Sequence, residues 1–123
     1  MDISTDIKTR TFGVEIEMCN LDRSKVSLPT GYSWSKDEDI VNTDGTCNKR
    51  FGGEINTPPL RLCLKDLHEL KSVYESMVNA GGVIKWSVYT HVHIYAGDLS
   101  VEQLKNIFLF FYRKSVYNFF SFL

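Results

Sequence analysis

Residues 11–18 alternate strictly between side chains of opposite character, and this alternation constrains the fold more than any other feature of the sequence. The apolar set occupies every even position: Phe12, Val14, Ile16 and Met18. Glu15 and Glu17 stand between them with Gly13. A period of two is typical of a β-strand with one buried face. We therefore expect a strand that buries its even positions and presents two carboxylates on its other face.

Two further segments have equally clear patterns. Residues 21–48 are polar and contain several turn residues, which favours a long loop or a weak hairpin. Residues 50–56 predict a second short strand, because two prolines end it at positions 58 and 59. Residues 64–79 place apolar side chains at the i, i+3, i+4 spacing of an amphipathic helix, and glycines 81 and 82 follow as a stop.

The C-terminal third predicts one more strand and one more helix. Residues 83–95 are rich in β-branched and aromatic side chains, which favours an extended strand. Ser100 and Gln103 have the spacing of a capping box, so a final helix is expected to begin there. The whole order predicts a single α+β domain over residues 1–123, with helices packed on one face of a mostly antiparallel sheet.

The final helix carries more apolar side chains than one packing face requires. One stripe at helical spacing is expected to pack on the sheet face opposite the carboxylates: Val101, Leu104, Ile107, Phe108 and Phe111. Other aromatic residues of the helix point in different directions. The second apolar face therefore predicts self-association or a protein partner.

Composition excludes several classes of protein. The net charge is −1 and no polybasic segment occurs, so a nucleic-acid partner is not expected. No stretch approaches the roughly 18 apolar residues of a membrane span, so no membrane role is expected. Three cysteines, Cys19, Cys47 and Cys63, have no disulfide-framework spacing, which predicts reduced thiols and a cytoplasmic protein.

Three groups of residues could carry chemistry, and each has an alternative structural interpretation. Glu15 and Glu17 are either a solvated strand face or a pair of oxygen ligands for Mg²⁺ or Mn²⁺. His91 and His93 share one face of their strand, as packing residues or as ligands. Glu54 follows two glycines, which mark either a β-bulge or the close approach of a ligand.

Four short motifs, taken in order, resemble the amidoligase family of carboxylate–amine ligases, which is related to glutamine synthetase and glutamate–cysteine ligase. They are Phe12-Gly-Val-Glu-Ile-Glu17, Asp44-Gly-Thr46, the segment 52–60 (GGEINTPPL) and His91-Val-His-Ile94. The family occurs often in phage genomes. The resemblance covers only the N-terminal half of the family's fold, so the rest of the active site is expected to lie outside this chain.

The resemblance implies a fold, a reaction and a set of site residues. The fold would be half of a glutamine synthetase-like catalytic domain. The reaction would form an amide through an acyl phosphate, with ATP, Mg²⁺ or Mn²⁺, and a carboxylate and amine substrate pair. The metal ligands would be Glu15, Glu17, Glu54 and His91, and His93 would contact ATP phosphate. The alternatives are a non-catalytic, phage-encoded protein-binding module on the same half-fold, or one fragment of a split ligase.

Overall fold

The computed structural model describes residues 10–35, 40–47, 50–85 and 88–121, with side chains described as far as residue 113. Its centre is the strand β1, Thr11–Asp22, which includes and extends the predicted alternating segment. Val14, Ile16 and Met18 are buried along β1, as the period of two predicts. The first strand therefore supplies both the core of the fold and its carboxylate-bearing face.

The sheet has five strands, and β1 pairs antiparallel on both of its edges. The other strands are β2 (Ser33–Trp34), β3 (Phe51–Asn56), β4 (Leu60–Arg61) and β5 (Thr90–Ile94). β3 and β4 lie along one edge of β1 and β5 lies along the other, because Phe12 pairs with both Leu60 and Ile94. β2 pairs with the outer edge of β3. This open antiparallel sheet with two helices confirms the predicted α+β class.

β5 is shorter than the strand predicted over residues 83–95. An isolated bridge joins Cys19 to Val83, so the earlier part of that segment also touches β1. Residues 86 and 87 lie outside the described part of the chain. The regular ladder begins at Thr90, which places both predicted histidines inside it.

The first helix, α1, spans Leu64–Asn79, as the apolar spacing predicted. Its inner face contributes Val73 and Met77 to the buried core. That core also contains residues from three strands and the long loop: Val14, Ile16, Met18, Leu21, Tyr32, Ile55 and Leu60. The helix ends where Gly81 adopts φ +92° and the Gly82 N–H donates to the Met77 carbonyl at 3.0 Å. α1 thus covers the sheet face opposite Glu15.

The second helix, α2, spans Val101–Ser121 and begins with the predicted capping box. The Ser100 N–H donates to Gln103 Oε1 at 2.8 Å, and the Gln103 N–H donates to Ser100 Oγ at 3.2 Å. Just before the helix, the Arg10 guanidinium pairs with both carboxylate oxygens of Asp98 at 2.7 and 2.9 Å. The start of α2 is therefore well anchored.

The predicted packing of α2 on the sheet is wrong. The described side chains of its apolar stripe remain exposed, from 38% for Leu104 to 82% for Val101. The part of the sheet that they were expected to cover is an open apolar groove of about 450 Å³, lined by Phe12, Val92 and Ile94 among others. The stripe stays exposed for a geometric reason: α1 already covers the sheet face over β1, and α2 extends away from the sheet beyond its anchored start.

A β-bulge shapes the approach to Glu54 and explains the two glycines that precede it. The register of β1 and β3 shifts between Met18 and Asp22. Gly52 adopts φ +79°, and a Cβ there would lie 2.7 Å from Asn42 Oδ1. A Cβ at Gly53 would meet the Arg23 guanidinium at 2.6 Å. Both glycines therefore make room for protein side chains, so the bulge interpretation is correct for them.

Two further predictions concern the cysteines and membrane-spanning segments. None of the three cysteines forms a disulfide: Cys19 is buried, whereas Cys47 and Cys63 are exposed. Within the described residues, no helix combines the length and apolar character needed to cross a bilayer.

Candidate functional site

The five predicted site residues lie on one face of the sheet, brought together from three strands. In the β1–β3 pair, Glu17 stands opposite Glu54. In the β1–β5 pair, Glu15 stands opposite His91, and Gly13 stands opposite His93. Residues directly opposite each other in an antiparallel pair point to the same face. The period of two predicts a shared face within each strand, and the pairing of the three strands brings those faces together.

Glu15 is the centre of the cluster, because both of its carboxylate oxygens have an imidazole beside them. His91 Nδ1 lies 3.1 Å from Glu15 Oε2. His93 Nε2 lies 3.1 Å from Glu15 Oε1. The Glu15 side chain is 31% exposed and both histidines are more open to solvent. The pairing orients the two rings toward the middle of β1 while leaving them accessible from solvent.

Glu17 is held at the start of β5 rather than in the centre of the cluster. The Tyr89 N–H donates to Glu17 Oε2 at 3.0 Å. The other oxygen, Oε1, lies 3.9 Å from His91 Nδ1. Oε2 of Glu17 therefore accepts a hydrogen bond from the backbone, and Oε1 faces His91.

Glu54 is the most buried carboxylate of the site, with only 9% of its surface exposed. Burial raises the pKa of Glu54 above its ordinary value, and the neighbouring charges of Glu15 and Glu17 raise it further. A hydrogen bond from the Ser35 side chain opposes this rise in the pKa. A carboxyl group whose pKa is raised by burial and by neighbouring carboxylates is typical of a functional site.

Glu15, Glu54 and His91 each offer a ligand atom, and these three atoms lie within 4.8 Å of one another. The two carboxylates are the oxygen ligands that Mg²⁺ and Mn²⁺ prefer, and the imidazole is a nitrogen ligand that also suits softer divalent metals. A divalent cation would also offset the charge repulsion that raises the pKa of Glu54. The donor set and the electrostatics therefore both fit a metal ion.

A slot of about 400 Å³ opens beside this cluster on the same face. Gly13 forms its floor, since a Cβ there would meet only Thr57 Oγ1, at 4.0 Å. His93 and Tyr95 line the β5 side, and Thr57 lines the β3 side. The volume lies in the range of small-molecule pockets.

The break between β3 and β4 shapes one wall of the slot. The Val14 N–H donates to Thr57 Oγ1 at 2.9 Å, so the threonine hydroxyl takes the place of a strand carbonyl. The Thr57 N–H in turn donates to the Val14 carbonyl at 3.0 Å. The two prolines that follow cannot donate to the ladder. The strand therefore bends at this point and leaves Gly13 uncovered.

Sequence reasoning missed two residues that touch the site. Tyr89 precedes His91 by two positions, so the alternation of β5 could have placed it on the same face. Ser35 lies in the long loop, and its backbone N–H donates to the Glu54 carbonyl at 2.8 Å. No periodic signal could have identified Ser35, because only the pairing of β2 with β3 brings it to Glu54.

Comparison with known proteins gives one match. The model of the family described as "Putative amidoligase enzyme" matches residues 30–117, well over half of the chain. The matched part contains β3 and β5, and with them Glu54, His91 and His93. β1 precedes the match, and the sheet joins it to both strands. No curated protein and no solved structure matches the chain.

Proposed function

The chain belongs to the amidoligase family, and from this membership we propose that it is an ATP- and Mg²⁺-dependent carboxylate–amine ligase. The single observation that carries the proposal is the convergence of Glu15, Glu54 and His91 within 4.8 Å, with Glu54 and His91 inside the family match and Glu15 on β1, which precedes it. The family supplies the reaction class, and the cluster supplies a place for the metal that such a reaction needs.

Four residues would hold the metal: Glu15, Glu17, Glu54 and His91. Glu54 brings the strongest support, because a buried carboxylate beside two others is unfavourable without a compensating cation. When bound, Mg²⁺ or Mn²⁺ would neutralise the negative charge on the phosphoryl oxygens during transfer. Mn²⁺ is the more tolerant of an imidazole ligand, so it is also the better probe.

The slot beside the cluster would take the nucleoside part of ATP. Its polar side chains are mostly neutral hydrogen-bonding groups, including Asn56 and Thr57, and the Tyr95 ring offers a surface on which a base can stack. His93 lines the slot together with Glu15, and its Nε2 lies 3.1 Å from Glu15 Oε1, so it adjoins both the slot and the metal cluster. We therefore assign His93 to a phosphate contact.

The reaction then has two steps. The substrate carboxylate attacks the γ-phosphorus of ATP, which forms an acyl phosphate and releases ADP. The amine next attacks the acyl carbon, the bond to phosphate breaks, and inorganic phosphate leaves with the proton that the amine gives up as the amide forms. In this scheme the chain's own groups bind and orient: the carboxylates would hold the metal, His93 would contact phosphate, and the slot would hold the nucleoside.

The metal assignment is tested by titrating the protein with Mn²⁺ and following free Mn²⁺ by electron paramagnetic resonance. We expect Glu54→Gln to weaken binding at least tenfold. Glu75→Gln is the matched control, because Glu75 is an exposed α1 residue far from the cluster in sequence that pairs with Lys71 at 3.6 Å. Equal Mn²⁺ affinity in wild type and Glu54→Gln would remove the metal site from the proposal.

The nucleotide assignment is tested by filling the slot. Gly13→Val places a branched side chain where the structure leaves space, and Gly13→Ala adds only a methyl group at ordinary contact distance. ADP binding, measured by calorimetry with Mg²⁺ present, should be lost in the valine variant and kept in the alanine variant. Mn²⁺ binding should persist in both. Undiminished ADP binding by Gly13→Val would show that the nucleotide lies elsewhere.

We also propose that the exposed stripe of α2 is a site of self-association or of contact with a protein partner. Phe108 and Phe111 are 79% and 66% exposed, and each buried aromatic ring would contribute a few kcal/mol. Solution mass at micromolar concentration tests self-association. A dimer that dissociates in the Phe108→Ser/Phe111→Ser variant supports this contact, and an unchanged dimer contradicts it. If wild type is monomeric, self-association is excluded and the proposed contact must be with a different protein.

A further inference from the structure

Tyr89 touches two members of the cluster through two different parts of the residue. Its backbone pairs with Glu17: the Glu17 N–H donates to the Tyr89 carbonyl at 3.1 Å, and the Tyr89 N–H donates to the Glu17 carboxylate at 3.0 Å. Its ring stacks on His91, with centroids 6.3 Å apart and planes inclined by 21°. No other described residue combines these two contacts.

The backbone contact departs from a regular ladder. In a regular antiparallel pair the Tyr89 N–H would donate to the main-chain carbonyl of Glu17. Here it donates to the side chain instead, which draws the Glu17 carboxylate to the start of β5. The carboxylate therefore lies within 3.9 Å of His91 Nδ1.

The ring contact restricts His91. An imidazole on an exposed strand can rotate about its Cβ–Cγ bond, because that torsion is broad. The Tyr89 ring lies nearly parallel to the imidazole and favours this ring plane, in which Nδ1 lies 3.1 Å from Glu15 Oε2. The orientation of a ligand ring is commonly set by such outer contacts.

We propose that Tyr89 is a positioning residue of the metal centre, which orients His91 through its ring and Glu17 through its backbone N–H. This inference rests on the proposed metal site. Tyr89 itself offers no ligand in this arrangement. Its side chain contributes little to the core, because the residue is 60% exposed. A loss of metal affinity on truncation of the ring would therefore reflect orientation of the ligands.

The experiment compares Tyr89→Ala, which removes the ring, with Tyr89→Phe, which keeps it. Mn²⁺ affinity should fall about tenfold in the alanine variant, within the range for outer-shell changes, and less than twofold in the phenylalanine variant. The control is Tyr74→Ala, because Tyr74 is a 40% exposed tyrosine beside Val14 and Ile16 on the opposite face. Thermal unfolding of the metal-free variants checks that each is folded.

A second readout needs no metal. The imidazole C–H proton resonances of His91 should shift in Tyr89→Ala, because the ring current of the tyrosine is lost, and should stay near wild type in Tyr89→Phe. Mn²⁺ affinity equal to wild type in Tyr89→Ala would overturn the inference while leaving the metal site intact. A wild-type protein that does not bind Mn²⁺ would instead refute the proposed metal centre. Unshifted His91 resonances in Tyr89→Ala would then overturn the positioning role as well.

Discussion

Replacing Glu54 by glutamine is expected to stabilise the metal-free protein while destroying its metal site. The substitution keeps the shape of the side chain and an oxygen that can accept from Ser35. It removes a negative charge that is only 9% exposed and lies beside two other carboxylates. A residue selected only for stability would give the opposite result, because its loss would destabilise the fold.

The magnitude follows from the separation of the charges. Ligand atoms of Glu15 and Glu54 lie within 4.8 Å, and two unit charges at that distance repel by roughly 3 kcal/mol at an effective dielectric constant of about 20. Glu15 is partly exposed, so solvent screening and the nearby histidine reduce the net gain to about 1–2 kcal/mol. For a chain of this length the melting temperature should rise by roughly 4–8 °C.

The assay is thermal unfolding in chelator, at neutral pH, followed by the same measurement in millimolar Mn²⁺. Wild type should gain stability when Mn²⁺ is added, whereas Glu54→Gln should not. Glu75→Gln, the surface control, should match wild type in both conditions. A melting temperature that falls in chelator for Glu54→Gln would refute the reasoning, since it would show that the charge of Glu54 is compensated within the protein.

Three further outcomes are expected. Because the pKa of Glu54 is raised in the folded protein, the stability of the metal-free wild type should fall as pH rises from about 4.5 through that raised pKa. Melting temperatures measured across this pH range should show the decline in wild type and not in Glu54→Gln. Gly52→Ala should lower the free energy of unfolding by about 2–4 kcal/mol in urea titrations, because its Cβ would clash with Asn42. Gly45 has a similar φ but open space around it, so Gly45→Ala should lower that free energy by only about 1 kcal/mol. Equal losses in the two variants would contradict the clash. Intact mass after alkylation of the native protein should show two fast modifications, at the exposed cysteines, and a third at Cys19 only on unfolding. Two cysteines that react only after addition of a reductant would contradict the prediction of reduced thiols.

The sequence predicted β1, β3, β5, both helices and the face that carries the site, because these follow from local patterns, but it did not predict the two-residue strands β2 and β4. The alternation of β1 separates its carboxylates from its buried side chains, and the same period places His91 and His93 together. The helix over residues 64–79 was predicted to the residue, since its apolar spacing and its glycine stop agree. These features depend on near neighbours along the chain, which a single sequence displays.

Long-range features were not predictable in the same way. The bulge at Gly52 accommodates the side chain of Asn42, which reaches it from the long loop. No sequence pattern indicates that contact. The position of α2 depends on whether its stripe finds a partner surface, and the apolar groove beside Val92 is left open by the fold. The Gly13 slot exists because the strand breaks after Asn56, a tertiary consequence of the two prolines.

The central claim is that the clustered carboxylates bind ATP through a divalent cation. The most direct test is isothermal titration calorimetry with ATP, in Mg²⁺ and in chelator, on wild type and on the Glu15→Ala/Glu54→Ala variant. Wild type should bind ATP only in Mg²⁺, and the double variant should not bind it in either condition. ATP affinity that is equal with and without Mg²⁺, or unchanged in the double variant, would contradict it.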